Sequence, residues 1–165
     1  MSEISGAVVV VGGTRSIGLQ LARHYVERGM DVVLSGRTRE SADAAVAQLR
    51  GLGHGSVEGV VFDLAEPTTI AAALAGVGPV RHLALVALER DANNVRDYSI
   101  ERALRLVTLK LVGFTEVVHT LVDRMRDDSD HSDLFRTGTS DYLCDHHDSF
   151  QRAKKEKNKK IRITD

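Results

Sequence analysis

"VVVVGGTRSIGLQLA", Val8 to Ala22, runs from four valines through a cluster of glycine and small residues into a segment of helical period. The valines read as a strand and the pattern from Ile17 as a helix, so the glycines turn the chain between them. A strand, a tight glycine turn and a helix N-terminus form a cradle for a nucleotide pyrophosphate. The first amides of the helix lack backbone partners, and its positive dipole end faces the ligand. Gly12 allows the sharp turn and Gly18 lets the helix pack closely on the sheet. Ser16 stands where such a turn usually has a third small residue. Serine is a favoured N-cap, so its hydroxyl can satisfy an orphan N–H or donate to a phosphate oxygen.

Outward from this stretch, short apolar runs alternate with helical segments as far as Met125. Strands are expected at Ala7–Val11, Asp31–Ser35, Val57–Phe62 and His82–Ala87, each too continuously apolar to leave one face in water. Helices are expected at Ile17–Arg28, Arg39–Leu52 and Thr68–Leu74, with a long one over Ile100–Arg126. Repeated βα units with right-handed crossovers give an α/β class: a Rossmann-like, doubly wound parallel sheet.

The texture changes after Arg126. Thirteen arginines, one lysine (Lys110) and fifteen alanines precede Asp127. Five lysines and one alanine, Ala153, follow it. The expected organisation is therefore a Rossmann domain over 1–126 and a polar, disordered tail over 127–165 with no strand in it. Arg, Ala and Gly use GC-rich codons and Lys, Asn and Ile do not. A shifted frame, an alternative exon or a fusion would produce such a break, and so would a natural solvated tail.

A net charge of -1 supplies no field for nucleic acid or an anionic membrane. No apolar run reaches the ~18 residues of a membrane span, and the first residues lack a signal-peptide pattern. One cysteine, Cys144, excludes an internal disulfide framework, and the expected location is cytoplasmic. "CDHHD" (144–148) has metal-ligating atoms, but adjacent residues converge poorly on one centre, so no metal site is expected. "KKEKNKK" (154–160) reads as a solvated charge run.

The turn from Gly12 to Gly18 resembles the TGxxxGIG motif of the short-chain dehydrogenase/reductase family, with Val11 for its threonine and Ser16 for its middle glycine. "VVLSGR" (32–37) and "VFDL" (61–64) follow at family-like spacing. The resemblance implies a sheet of order 3-2-1-4, ending after the fourth strand and its helix. It also implies a dinucleotide held by Gly12, Thr14, Arg15, Ser16, Ile17, Gly18, Arg37, Asp63, Leu64 and Ala87. Asp63 would contact the adenine, supported by the next backbone N–H. The residue after the second strand decides the cofactor: a carboxylate there suits a ribose 2'-OH, whereas Arg37 with Arg15 suits a 2'-phosphate, hence NADP(H). The alternatives are that Arg37 and Arg39 are solvated residues at a helix start, and that Asp63 serves only the next helical turn.

The family's NNAG is replaced by Leu85, Val86, Ala87 and Leu88 within "LALVALE", and its YxxxK is absent. Gly29, Arg102 and His146 stand four residues after Tyr25, Tyr98 and Tyr142. No catalytic residue of the family is thus assigned. Lys110 lies where a catalytic-site asparagine falls, on a stripe with Ala103, Leu106, Val107, Phe114 and Val117. Either it enters the cofactor cleft, where desolvation lowers its pKa, or its stem packs and its ammonium stays in water.

Three readings stand: an NADP(H)-dependent oxidoreductase domain moving hydride to or from a carbonyl or alcohol, a catalytically silent binding module, and a truncated product of a longer reductase. Apolar residues on two faces of Ile100–Arg126, with Leu104, Leu111, Val118 and Met125 on the uncovered one, predict a homo-oligomer through this helix.

Overall fold

The computed structural model describes residues 6–90 and 93–125, and the backbone of 134–136. A parallel sheet of order β3-β2-β1-β4-β5 is built from β1 (Ala7–Val11), β2 (Val32–Gly36), β3 (Val57–Val61), β4 (Val80–Leu85) and β5 (Leu134–Arg136). Helices α1 (Ser16–Glu27) and α2 (Arg39–Leu49) pack on one face. The short α3 (Ile70–Ala73), α4 (Ile100–Val107) and α5 (Phe114–Leu121) come later in the chain. This is the expected doubly wound, Rossmann-like architecture.

Alternation along β1 divides its valines between two cores. Val8 and Val10 join Ala22, Val26, Leu34, Ala45 and Leu49 under α1 and α2. Val9 and Val11 join Ile70, Leu74, Leu83, Phe114, Val117 and Leu121 on the opposite face. Two-sided burial holds for β1 and β2 but not for β3, whose Glu58 is exposed because the strand lies at the sheet edge. Strand β4 starts two residues earlier than its apolar run, since Val80 pairs with Ala7. The first two helices end sooner than their periodicity, just before left-handed glycines: Gly29 at φ 77° and Gly51 at φ 85°.

Two expectations require correction. The sheet does not end at its fourth strand: Leu134, Phe135 and Arg136 of the expected strand-free tail pair in parallel with Leu83, Ala84 and Leu85. Three residues are too few for a legible period, and an exposed edge of β4 supplies the template. The long helix is not one helix either. A π-helical segment, Thr108–Gly113, separates α4 from α5, and a 3-10 turn closes at Arg124. The extra residue in a π turn rotates the downstream helix by about 100° relative to a continuous α-helix. Val118 consequently packs against the core, and Met125, extended after the 3-10 turn and bridged to Val80, lies in the core, so neither lines the uncovered face. The rest of the tail lies outside the described residues, including 127–133, "CDHHD", Tyr142 and "KKEKNKK".

Candidate cofactor-binding site

The carboxyl ends of β1, β2 and β4 meet at the glycine turn. The turn is pinned to β2 by two amides: Gly12 N–H donates to the buried Ser35 Oγ at 3.1 Å, and Gly13 N–H to the Ser35 carbonyl at 3.1 Å. Gly12 sits at φ 88°, and a Cβ there would lie 2.6 Å from Ala87 Cα. A Cβ on Gly18 would run into the Gly12 carbonyl, so the helix approaches the turn closely only because that position is glycine. Gly36 is likewise closed in by Thr14, whose Cγ2 would be 2.7 Å from a Cβ. The turn therefore brings Gly12, Thr14, Gly18 and Ala87 together, while Arg15, Ser16 and Ile17 face solvent.

Ser16 is not the N-cap. Arg15 holds that position in extended conformation and makes no side-chain cap bond, and Ser16 is the first helical residue, at φ 50°. This left-handed backbone costs an L-residue about 1–2 kcal/mol, which explains the glycine usual at this place in such turns.

Above the turn lies an ion-pair chain. Arg37, directly after β2, donates Nη1–H to Glu89 Oε2 at 3.3 Å. Arg105 of α4 grips both oxygens of Glu89, Nε to Oε1 at 3.0 Å and Nη2 to Oε2 at 3.2 Å. It also reaches Asp63 Oδ2 at 2.8 Å. Asp63 Oδ1 accepts the Ala65 N–H at 2.9 Å. Burial alone would raise the Asp63 pKa. The Arg105 hydrogen bond, the Ala65 amide and the charges of Arg105 and Arg37 outweigh it and hold the carboxyl below its ordinary value. The hydrogen bonds that Arg105 donates to Glu89 first, then to Asp63, push its pKa up.

Lys110 belongs to this end of the sheet. Its Nζ donates to the Ala87 carbonyl at 2.9 Å and lies 5.0 Å from the Phe114 ring centroid, and burial lowers its pKa. The ammonium thus turns toward the strand end beside Gly12. Leu64 sits in the core, and its carbonyl would meet any Cβ on Gly113. Sequence reasoning missed Ser35, Glu89 and Arg105. Ser35 was legible as the one polar residue in an apolar strand. The other two are joined across the fold with no spacing to mark them.

The residues fit a dinucleotide. The glycine turn is closely packed beneath, with helix-terminal amides at the start of α1 and two exposed arginines, Arg15 and Arg37, beside it. Among the described residues no cluster of three metal-ligating side chains occurs, and no helix is long and apolar enough to cross a membrane.

Residues 6–132 match the family described as short chain dehydrogenase. The chain belongs to that family. Polyprenol dehydrogenase of Danio rerio is 38% identical over 72 residues, 42% of this short-chain dehydrogenase family chain and 22% of that protein. L-sorbose reductase from Gluconobacter frateurii, solved with NADPH and L-sorbose, shares its fold at a TM-score of 0.66 and 22% identity. The match covers 73% of this chain and 48% of that one. A 3-oxoacyl-[acyl-carrier protein] reductase from Brucella melitensis, in complex with NAD, matches at a TM-score of 0.62 and 27% identity, over 74% and 50% of the two chains. This chain thus spans at most half the length of each. It is a dehydrogenase/reductase-like domain.

Proposed function

We propose that this domain binds a nicotinamide dinucleotide and prefers NADP(H). The observation that carries the reading is the glycine turn with Arg37 directly after β2, where a carboxylate would favour a free ribose 2'-OH. In this reading the helix-terminal amides of Ser16, Ile17 and Gly18, with Gly12, Thr14 and Arg15, hold the pyrophosphate. Asp63, Leu64 and Ala87 border the adenosine. Arg37 keeps donors free for a 2'-phosphate, because a guanidinium carries five N–H groups and Glu89 engages one of its nitrogens.

The dinucleotide, when bound, carries the hydride that a carbonyl or alcohol exchanges with it. Lys110 is the candidate proton carrier at this end of the sheet, in place of the YxxxK pair missing from the 165 residues. That missing pair favours a second reading, a cofactor-binding module without chemistry of its own. In both readings the domain works in the cytosol, and a second copy covers the apolar stripe of α4.

Titration of the 165-residue chain with NADPH and NADH tests the assignment. NADPH is expected to bind more tightly, and Arg37→Asp to erase or reverse the preference. A charge-assisted hydrogen bond is worth about 1.5–3 kcal/mol, a change of roughly tenfold or more. Equal affinities before and after the substitution would remove the role of Arg37, and binding of neither nucleotide would remove the reading.

A further inference from the structure

We infer that Glu89 is a specificity-determining residue: it competes with the nucleotide's 2'-phosphate for Arg37, and so sets how strongly the domain distinguishes NADPH from NADH. The inference rests on the dinucleotide-binding reading above. It starts from where the pair lies. Arg37 follows β2 and Glu89 follows β4, and β1 runs between those two strands. Strands two places apart are about 10 Å from each other, so the Arg37–Glu89 contact bars the space above β1 where the glycine turn begins. That space is the crevice at the carboxyl ends of the strands, where the strand order reverses and ligands of open α/β sheets bind.

The two arginines hold Glu89 unequally. Arg105 takes both carboxylate oxygens, at 3.0 and 3.2 Å, whereas Arg37 makes one longer contact of 3.3 Å and leaves 55% of its side chain in solvent. Glu89 therefore stays with Arg105 when Arg37 swings toward a ligand. The cluster of Arg37, Arg105, Asp63 and Glu89 carries two positive and two negative charges. A 2'-phosphate thus meets a neutral cluster whose nearest carboxylate shares the arginine it needs. A 2'-OH carries no charge and does not draw Arg37 away from Glu89.

Calorimetric titration of the wild-type chain and Glu89→Gln with NADPH and NADH tests this, with a thermal midpoint for each chain in the absence of nucleotide. Glutamine keeps the shape and removes the charge. NADPH affinity is expected to rise about three- to tenfold, the scale of one partly exposed charge pair, with NADH changed less than about twofold. In an Arg37→Gln background the same substitution should lose most of its effect on NADPH. Glu89→Asp, which keeps the charge but shortens the reach, should fall between wild type and glutamine.

An equal change for both nucleotides would overturn the inference. So would an NADPH gain that persists without Arg37, which would come from the general field rather than from competition. A fall in affinity for NADPH alone would mean that Glu89 positions Arg37 for the phosphate, the opposite role. Wild-type binding with no response to Glu89→Gln removes this inference alone, whereas binding of neither nucleotide to any of the chains removes the dinucleotide reading with it.

Discussion

Ser16 and Asp63 show how single residues at this site carry opposing terms. Ser16 keeps a side chain in a backbone conformation that glycine adopts freely. Ser16→Gly should relieve that strain against a smaller entropic gain in the unfolded chain, for a net stabilisation of about 1 kcal/mol and a thermal midpoint raised by about 3 °C. Ser16→Val, with a β-branched side chain at the same φ, should lower it. Calorimetry of the three chains side by side reads both effects. Asp63 has its carboxyl pKa depressed in the fold, so it binds fewer protons folded than unfolded. Its contribution is present above the unfolded value, close to 3.8, and is lost as the pH falls through the folded value. The midpoint difference between wild type and Asp63→Asn should be constant at neutral pH and shrink below about pH 4. A difference that persists at pH 2.5 would mean that the asparagine acts through packing instead of through the Arg105 ion pair.

The π-helical segment is the element on which the far side of the site depends. It places Leu109 and Gly113 against the core, and Gly113 lies so close to the Leu64 carbonyl that a methyl group there has no room. The same contact sets the end of α4 relative to the loop after β3, and thereby holds Arg105 within reach of Asp63. Gly113→Ala should cost about 2–3 kcal/mol, typical of overpacking, beyond the small helix-propensity gain of alanine. Chemical denaturation would show it as a lower midpoint at unchanged slope. An alanine variant as stable as wild type would mean that α4 and the Leu64 loop separate easily. The tension at this element is between helix propensity, which disfavours a glycine, and close approach, which demands one. Close approach wins because the neighbour is backbone and cannot turn aside.

Across the whole molecule, one face of α4 and the π-helical segment after it remains apolar and exposed. Ile100, Leu104, Val107 and Leu111 recur at helical spacing with 66, 61, 50 and 41% of their surface in solvent. The proposed homo-oligomer would cover this stripe, a two-fold pairing of identical chains being the simplest closed way to bury it. Leu104→Glu and Leu111→Glu should each shift the chain toward monomer in sedimentation velocity at low micromolar concentration, without lowering the monomer's own stability. Val118→Glu is unsuitable as a companion, since Val118 packs on the core and the charge would unfold the domain. Wild-type chains that sediment as monomers at every concentration would remove the proposed self-association.

The sequence by itself determined the two-faced burial of β1 and the glycine turn, which arise from local rules: alternation, period, and the absence of a Cβ where the backbone must bend or approach. The sheet order through β4 came with the resemblance of its motifs to the family. It also marked Arg37 and Asp63, because their places beside strand ends are set by chain position. Only the tertiary structure decided which groups these residues touch. Glu89 and Arg105 lie 52 and 42 positions from Arg37 and Asp63 respectively, and nothing in the intervening chain announces either pair. The π turn escaped for a related reason. A helical wheel assumes one phase from Ile100 to Arg126, and the insertion that shifts it answers the packing of Gly113 on Leu64 rather than any local preference. The strand at Leu134–Arg136 depends likewise on the open edge of β4, a partner that exists only after the sheet has formed.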